Sequence, residues 1–163
     1  MANKVYIVRE TPIVWSDTAG DLVITINNLA ASGACRIGAR KDLGAGATSE
    51  WYEWRLTVQF ETAPVVGETI DIYLSTSDGT EEDGQEGAAD AALGSVNSLR
   101  NMQYIGSLVV SSVDASHDMT ASGVCRIVTR YVSPVIHNNT VDNLKATNDT
   151  GEFTLTPTPP ELQ

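Results

Sequence analysis

Basic side chains, histidine, cysteine and long apolar runs are all scarce in this sequence, and each scarcity disfavours a class of protein. Ten Lys and Arg stand against 21 Asp and Glu, so the formal net charge is -11 and the isoelectric point is near 4.4. Such a surface repels phosphate backbones and anionic membranes. No apolar stretch approaches the roughly 20 residues that span a bilayer, and no secretory signal is visible. We expect a soluble protein, made in a cytoplasm, that binds neither nucleic acid nor membrane.

The residues that carry catalysis or hold metals form no recognisable pattern. His117 and His137 lie in no metal-binding motif, and the two cysteines do not complete a zinc site with them. The acidic segment 78–90 lacks the ligand positions of an EF-hand loop, so a solvated loop is favoured over a calcium site. Glu53 and Asp71 are a glycosidase pair only if they face each other. A Ser-His-Asp triad has no local signature. The sequence predicts a non-enzymatic protein with no cofactor and no metal.

Residues 51–76 carry the clearest structural signal. Apolar and polar residues alternate from 51 to 60, and the apolar set is Tyr52, Trp54, Leu56, Val58 and Phe60. Alternation with period two is typical of a strand with one buried face. A connector with Pro64 and Gly67 leads to a second alternating run at 70–75. The two runs predict an antiparallel hairpin with a wide turn.

The rest of the chain continues as short strands separated by turns. Alternating or β-branched runs predict strands near residues 5–8, 22–27, 104–113, 124–132 and 153–156. A helix is predicted over 88–100, after a solvent-exposed acidic segment. Pro134 is expected to end the predicted strand 124–132. This order favours one β-sandwich domain over 1–156, of jelly-roll topology and with one short helical insertion; an immunoglobulin-like sandwich is the alternative. The proline-rich tail 157–163 is expected to adopt polyproline II rather than sheet.

A ten-residue block occurs twice. ASGACRIGAR at 31–40 and ASGVCRIVTR at 121–130 agree at seven of ten positions. Duplication and independent strand chemistry both account for this. In each copy glycine is predicted to start a strand, with Cys and Ile on one face and Arg on the other. If the two strands pair, Cys35 and Cys125 are neighbours, and the alternatives are two buried reduced thiols or a disulfide, within the chain or between subunits.

Two tryptophans are candidate contacts for a partner. Trp51 lies on the strand face opposite Trp54, and Trp15 lies near a turn. An exposed aromatic side chain there would anchor a sugar or a protein partner. A second layer of core over that face is the alternative.

Three continuous segments carry a resemblance to a known family. MANKVYIVRETPIVWSDTAGDLVITINNLA, WRLTVQFETAPVVGETIDIYLSTSDGT and LRNMQYIGSLVV resemble small virion proteins of tailed bacteriophages. The resemblance implies a capsid decoration or cement protein: a β-sandwich, often trimeric, that binds the major capsid protein or another virion protein on the outer surface of the head. No binding residues transfer from the family.

The resemblance gives the chain ends an expected role as arms that reach a neighbour or the shell. Together with the tryptophans, this makes four residues candidate partner contacts: Tyr6, Arg9, Trp15 and Trp51. The alternative function is a carbohydrate- or receptor-binding sandwich of a phage tail or fibre. A hydrolase is a third, weaker hypothesis.

Overall fold

The computed structural model describes residues 5–17, 22–45, 49–84, 87–146 and 151–162. Within these ranges the chain forms thirteen strands and one short 3-10 helix. In chain order they are β1 (Val5–Ile7), β2 (Ile13–Ser16), β3 (Leu22–Val23), β4 (Ala34–Ile37), β5 (Lys41–Asp42), β6 (Trp51–Val58), β7 (Thr69–Ser77), β8 (Ala91–Ala92), the helix Val96–Asn101, β9 (Gln103–Val109), β10 (Met119–Arg126), β11 (Tyr131–Asn138), β12 (Glu152–Pro157) and β13 (Pro160–Leu162).

Eleven of these strands build two facing sheets. Sheet I has the order β10-β6-β12-β2-β3, and sheet II has the order β8-β4-β11-β7-β9, with β5 also paired to β11. The framework consists of eight of these strands, which we number 1 to 8 in chain order: β2, β4, β6, β7, β9, β10, β11 and β12. In this numbering the strand order is 1-8-3-6 in sheet I and 2-7-4-5 in sheet II. This is the arrangement of a jelly roll. The predicted fold class is therefore confirmed.

The main core lies between the two sheets and follows from the alternation in the sequence. Along β6, residues with odd numbers face outward and residues with even numbers are buried. The buried set meets apolar side chains of β7 from the opposite sheet, and Ile70, Ile72 and Leu74 are fully buried there. Each such side chain stabilises the fold by about 1.5–3 kcal/mol relative to its exposed state.

The outer face of sheet II is covered as well. A second cluster joins Cys35, Ile37 and Val135 of the sheet to Leu99 and Met102 of the covering segment. This burial on both faces explains why β11 is an almost continuous buried run.

The predicted helix over 88–100 is wrong in its extent. Residues 91–92 form the edge strand β8, and a 3-10 helix begins only after Ser95. The hydroxyl of Ser95 accepts a hydrogen bond from the backbone N–H of Asn97 at 3.2 Å and so caps the helix. Pairing of β8 with β4 holds the preceding residues extended.

The predicted hairpin over 51–76 is also wrong. Strand β6 pairs with β10 and β12 in sheet I, whereas β7 pairs with β11 and β9 in sheet II. The connector 59–68 therefore crosses from one sheet to the other. Glu53 and Asp71 consequently lie on different sheets and cannot form the facing pair that a glycosidase needs.

Pro134 lies inside a central strand instead of ending one. The predicted strand 124–132 is divided between β10 and β11 by a turn. In an antiparallel ladder the N and O atoms of a residue point to the same neighbour, and the carbonyl of Pro134 accepts from the N–H of Gly38 at 2.8 Å. On that side β4 has ended and β5 has not begun. The missing N–H of Pro134 therefore faces a break in the sheet.

The two chain ends pair with each other in a two-stranded ribbon. Strand β1 is antiparallel to β13, with Ile7 opposite Pro160. Beyond it, the N–H groups of Val8 and Glu10 donate to the carbonyls of Pro159 and Pro157 at 3.1 Å. The prediction that the tail cannot pack as sheet is therefore wrong for Pro160–Leu162. A proline is tolerated here because its missing donor faces an unpaired edge.

Candidate functional site

A groove of about 800 Å³ lies where β6 begins and the terminal ribbon leaves sheet I. We call it the end groove. Its walls combine prolines of the C-terminal segment, the start of β6 and the segment around β5. The lining includes the polar residues Glu10, Lys41, Asp42, Ser49 and Glu50 and the apolar residues Trp51, Pro159 and Pro160.

Trp51 presents an aromatic surface to this groove from a fixed backbone. Its side chain is 48% exposed. Its carbonyl accepts hydrogen bonds from the hydroxyl of Ser49 at 2.6 Å and from the backbone N–H and hydroxyl of Thr158 at 2.9 and 3.0 Å. The backbone that carries the indole is therefore held by Ser49 and by the C-terminal segment together.

Asp42, which also lines the groove, is held by a bidentate ion pair. Nε and Nη2 of Arg130 donate to its two carboxylate oxygens at 2.8 and 2.6 Å, and the N–H of Gly44 donates at 2.8 Å. These bonds, that of Arg130 first, lower the pKa of Asp42 to about 2. The guanidinium of Arg130 in turn lies over the ring of Tyr131 at 5.0 Å, and that of Arg40 lies 5.1 Å from the same ring. A stack of cation and aromatic groups thus fixes the carboxylate.

Glu50 is held in a similar way. Nε and Nη2 of Arg126 both donate to its Oε2 atom, at 3.0 and 2.8 Å, which leaves Oε1 available to another donor. Sequence reasoning did not single out Asp42, Glu50 or their partners. The repeated block marks Arg126 and Arg130, which belong to its second copy. It does not indicate which acidic residues pair with them.

Three of the four predicted contact residues lie at the surface near this end of the protein. Tyr6 is 46% exposed, and Arg9 forms an ion pair with Glu53 at 2.8 Å. Trp51 lines the end groove. The prediction is wrong for Trp15, which is fully buried and donates its indole N–H to the carbonyl of Ala39 at 2.7 Å.

The two cysteines are free and lie on opposite sides of sheet II. Cys35 belongs to the cluster on the outer face, and Cys125 belongs to the core between the sheets. Burial raises the pKa of Cys35 to about 11 and that of Cys125 to about 12. A bond between them within one chain is incompatible with this fold, and both thiols are buried. Gly33 precedes its strand as predicted, but Gly123 lies inside β10 and does not start it.

Ser107, Asp71 and His137 are brought together on neighbouring strands, but not as a catalytic triad. The hydroxyl of Ser107 donates directly to Asp71 at 2.5 Å, and the hydroxyls of Ser107 and Tyr104 lie 2.6 Å apart. Asn139 donates to the other oxygen of Asp71 at 2.6 Å. Neither ring nitrogen of His137 is bonded to Ser107 or Asp71. A nucleophilic serine needs histidine as its acceptor, so this network fixes side chains on the sheet.

The acidic segment 78–90 is tied to the sheets. Asp83 accepts from the N–H and hydroxyl of Thr76 at 2.9 and 2.7 Å, and Glu82 pairs with Arg40 at 3.3 Å. Asp90 pairs with Arg36. The predicted solvent-exposed excursion is therefore wrong for Glu82, which is buried.

No group of three or more His, Cys, Asp or Glu side chains in the described ranges is arranged to hold a metal ion. In the same part of the chain, no helix has the length and hydropathy required to cross a bilayer.

No protein-family model matches the chain, and no curated protein sequence matches it either. Two crystal structures of murine APRIL, at pH 5.0 and pH 8.0, show a partial structural likeness with a TM-score of 0.37 each. Each is 8% identical to this chain and covers 77% of it, and the matched regions cover 99% and 98% of the APRIL chains. A likeness this weak carries no argument about function.

Proposed function

We propose that this protein is a non-enzymatic virion structural protein of a tailed bacteriophage, which binds the outer capsid surface and stabilises the head. The major capsid protein, or another virion protein of the shell, is the proposed partner. The resemblance of the three sequence segments supplies the family. The observation that carries the binding role is the terminal ribbon.

The ribbon has features of a contact surface rather than of a folding element. None of its described side chains belongs to either core cluster, and an isolated two-stranded ribbon is marginally stable in water. Ile7 is nevertheless 77% exposed. An isoleucine held in the open by a ribbon whose described side chains lie outside both core clusters gains its burial in a complex.

The ribbon also has a free edge. Because Val8 and Glu10 donate toward the C-terminal segment, strand alternation points the N–H groups of Ile7 and Arg9 the other way. Strand β1 pairs with β13 and with no other described strand. Unpaired edges of this kind are templates for pairing with another chain.

The charge of the chain supports an outer position on the head. A protein of net charge -11 repels packaged nucleic acid and itself, and is attracted to a basic surface. Formation of homo-oligomers, such as a trimer on the shell, is part of the proposal and requires contacts that overcome this self-repulsion.

The test is to add purified protein to shells that lack it. Cosedimentation should give saturable binding, and the bound shells should resist heat or internal pressure better than bare shells. The double variant Tyr6→Ser, Ile7→Ser should bind at least about tenfold more weakly. Val141→Ser, an equally exposed apolar position away from the ribbon, is the matched control. No binding by the wild-type protein, or binding without stabilisation, would contradict the proposal.

A further inference from the structure

We infer that the end groove is a binding site for a neutral oligosaccharide, stacked on Trp51 and hydrogen-bonded to the carboxylates of Asp42 and Glu50. This activity goes beyond capsid binding and does not rest on it. Trp51 and the exposed residues of the ribbon are carried by different strands, so single substitutions can separate the two activities.

Trp51 offers the groove an aromatic surface. Of the three tryptophans, Trp15 and Trp54 are buried in the core, and only Trp51 is half-exposed. Its backbone bonds to Ser49 and Thr158 fix the main chain that carries the indole. An amphipathic ring on a fixed backbone, with few side-chain torsions left to order, is suited to the apolar face of a sugar ring and loses little entropy on binding.

The charge balance of the groove selects a neutral ligand. Among the described residues, the lining carries the acids Glu10, Asp42 and Glu50 and the base Lys41. Glu50 and Asp42 are paired with Arg126 and Arg130, so acids and bases are equal in number. No net local charge remains to attract an anion or a cation. An anionic ligand also meets the net charge of -11 of the whole chain.

Asp42 and Glu50 have hydrogen-bonding capacity for a ligand. The pKa of Asp42, held at about 2 mainly by Arg130, keeps this carboxylate an acceptor across the physiological range. The Oε1 atom of Glu50 carries neither of the bonds from Arg126. Carboxylates fixed by arginine accept the hydroxyl protons of a sugar without reorganising.

The size of the groove agrees with this ligand class. Its volume of about 800 Å³ falls within the range of about 300–1,000 Å³ that is usual for small-molecule sites. The lining combines an indole and prolines with charged and hydroxyl groups, which suits a ligand that has both an apolar face and hydroxyl groups. The prolines at 159 and 160 add apolar wall without adding donors.

The test uses an array of immobilised neutral and anionic oligosaccharides, followed by titration of the strongest neutral hit in solution. Because the other two tryptophans are buried, a change in tryptophan emission on titration reports Trp51. Trp51→Ala should weaken binding by about tenfold or more, whereas Trp51→Phe, which keeps a ring, should retain most of it. Val141→Ser should bind like the wild type.

Each other outcome overturns the inference. It fails if no neutral oligosaccharide binds, if only anionic ones bind, or if Trp51→Ala binds the hit as tightly as the wild type does. The double variant Tyr6→Ser, Ile7→Ser, whose positions do not line the groove, should bind the sugar like the wild type. Sugar binding that persists in this variant distinguishes the site from the proposed capsid contact.

Discussion

The packing of Trp54 against two glycines gives the sharpest test of the fold. Gly123 lies directly opposite Trp54 in the pairing of β10 with β6. A Cβ atom at this position would lie 2.8 Å from three atoms of the indole, Cε2, Cζ2 and Nε1. Gly106 on β9 approaches the same ring from the edge of sheet II, and a Cβ there would lie 2.5 Å from Cζ2. The indole thus fills the seam where the edges of the two sheets meet.

We predict that Gly123→Ala destabilises the protein by about 1–3 kcal/mol, because the new methyl group overpacks a rigid core position. The backbone of Gly123 is not in the left-handed region, so the cost is steric. For a domain of 163 residues, about 2–4 °C of melting temperature corresponds to each kcal/mol. The expected loss is therefore roughly 2–12 °C, measured by calorimetry and checked by urea unfolding.

A double-mutant cycle identifies the cause. Trp54→Phe removes the indole atoms that the methyl group would contact. In the Trp54→Phe protein, Gly123→Ala should therefore reduce the free energy of unfolding by at least about 1 kcal/mol less than it does in the wild type. Ser122→Ala, an exposed neighbour on the same strand, is the control and should stay within about 0.5 kcal/mol of the wild type. A Gly123→Ala variant as stable as the wild type, or a cycle without coupling, would refute the packing argument.

Three further predictions concern buried polar groups. Burial raises the pKa of Cys35 to about 11 and that of Cys125 to about 12. Both thiols should therefore resist a thiol reagent at pH 8 in the native protein and react with it in denaturant. A protein mass lower by two protons, which indicates a disulfide, would contradict this. Burial favours a higher pKa for Asp90, but hydrogen bonds from Arg36 and Thr25 hold this pKa below its ordinary value. Asp90→Asn should therefore lower the free energy of unfolding by about 3 kcal/mol at neutral pH. The loss should become smaller as the pH falls below about 4, where the carboxylate of the wild type is protonated. An undiminished cost at pH 3 would contradict this. Burial lowers the pKa of His137, so the free energy of unfolding should decline as the pH falls below about 6.5. His137→Gln should reduce that decline. Equal dependence of stability on pH in the wild type and in His137→Gln would contradict this.

The sequence predicts strand faces well because burial is encoded residue by residue. The alternation of β6 identifies Tyr52, Trp54, Leu56 and Val58 as core, and all four are buried. The same pattern cannot tell a hairpin from a crossing between sheets. In a hairpin the apolar faces of two strands lie on one side of a sheet, and in a sandwich they face each other across the core, with identical periodicity. The pairing of β6 with β7 was predicted wrongly for this reason.

The end groove was out of reach for a related reason. Its parts come from the N-terminal segment, from β5, from the start of β6 and from the C-terminal prolines, and only the jelly-roll order brings them together. Trp51 was identified because an aromatic residue on the polar face of a strand is unusual. Asp42 and Glu50 are ordinary acids in a chain that has 21 of them, and nothing local marks them.

The repeated block shows what local sequence does determine here. Its two copies lie in different sheets, yet in both the cysteine is buried and every arginine forms an ion pair with a distant acid. The four pairs are Arg36 with Asp90, Arg40 with Glu82, Arg126 with Glu50 and Arg130 with Asp42. The first copy thereby ties the acidic segment to the sandwich, and the second fixes the acids of the end groove. Because four of the ten basic residues are engaged in this way, the excess of acid falls on the remaining surface. Arginine suits this role because its planar group pairs in a bidentate manner and stacks on Tyr131, so Arg130→Lys should loosen Asp42 although the charge is kept.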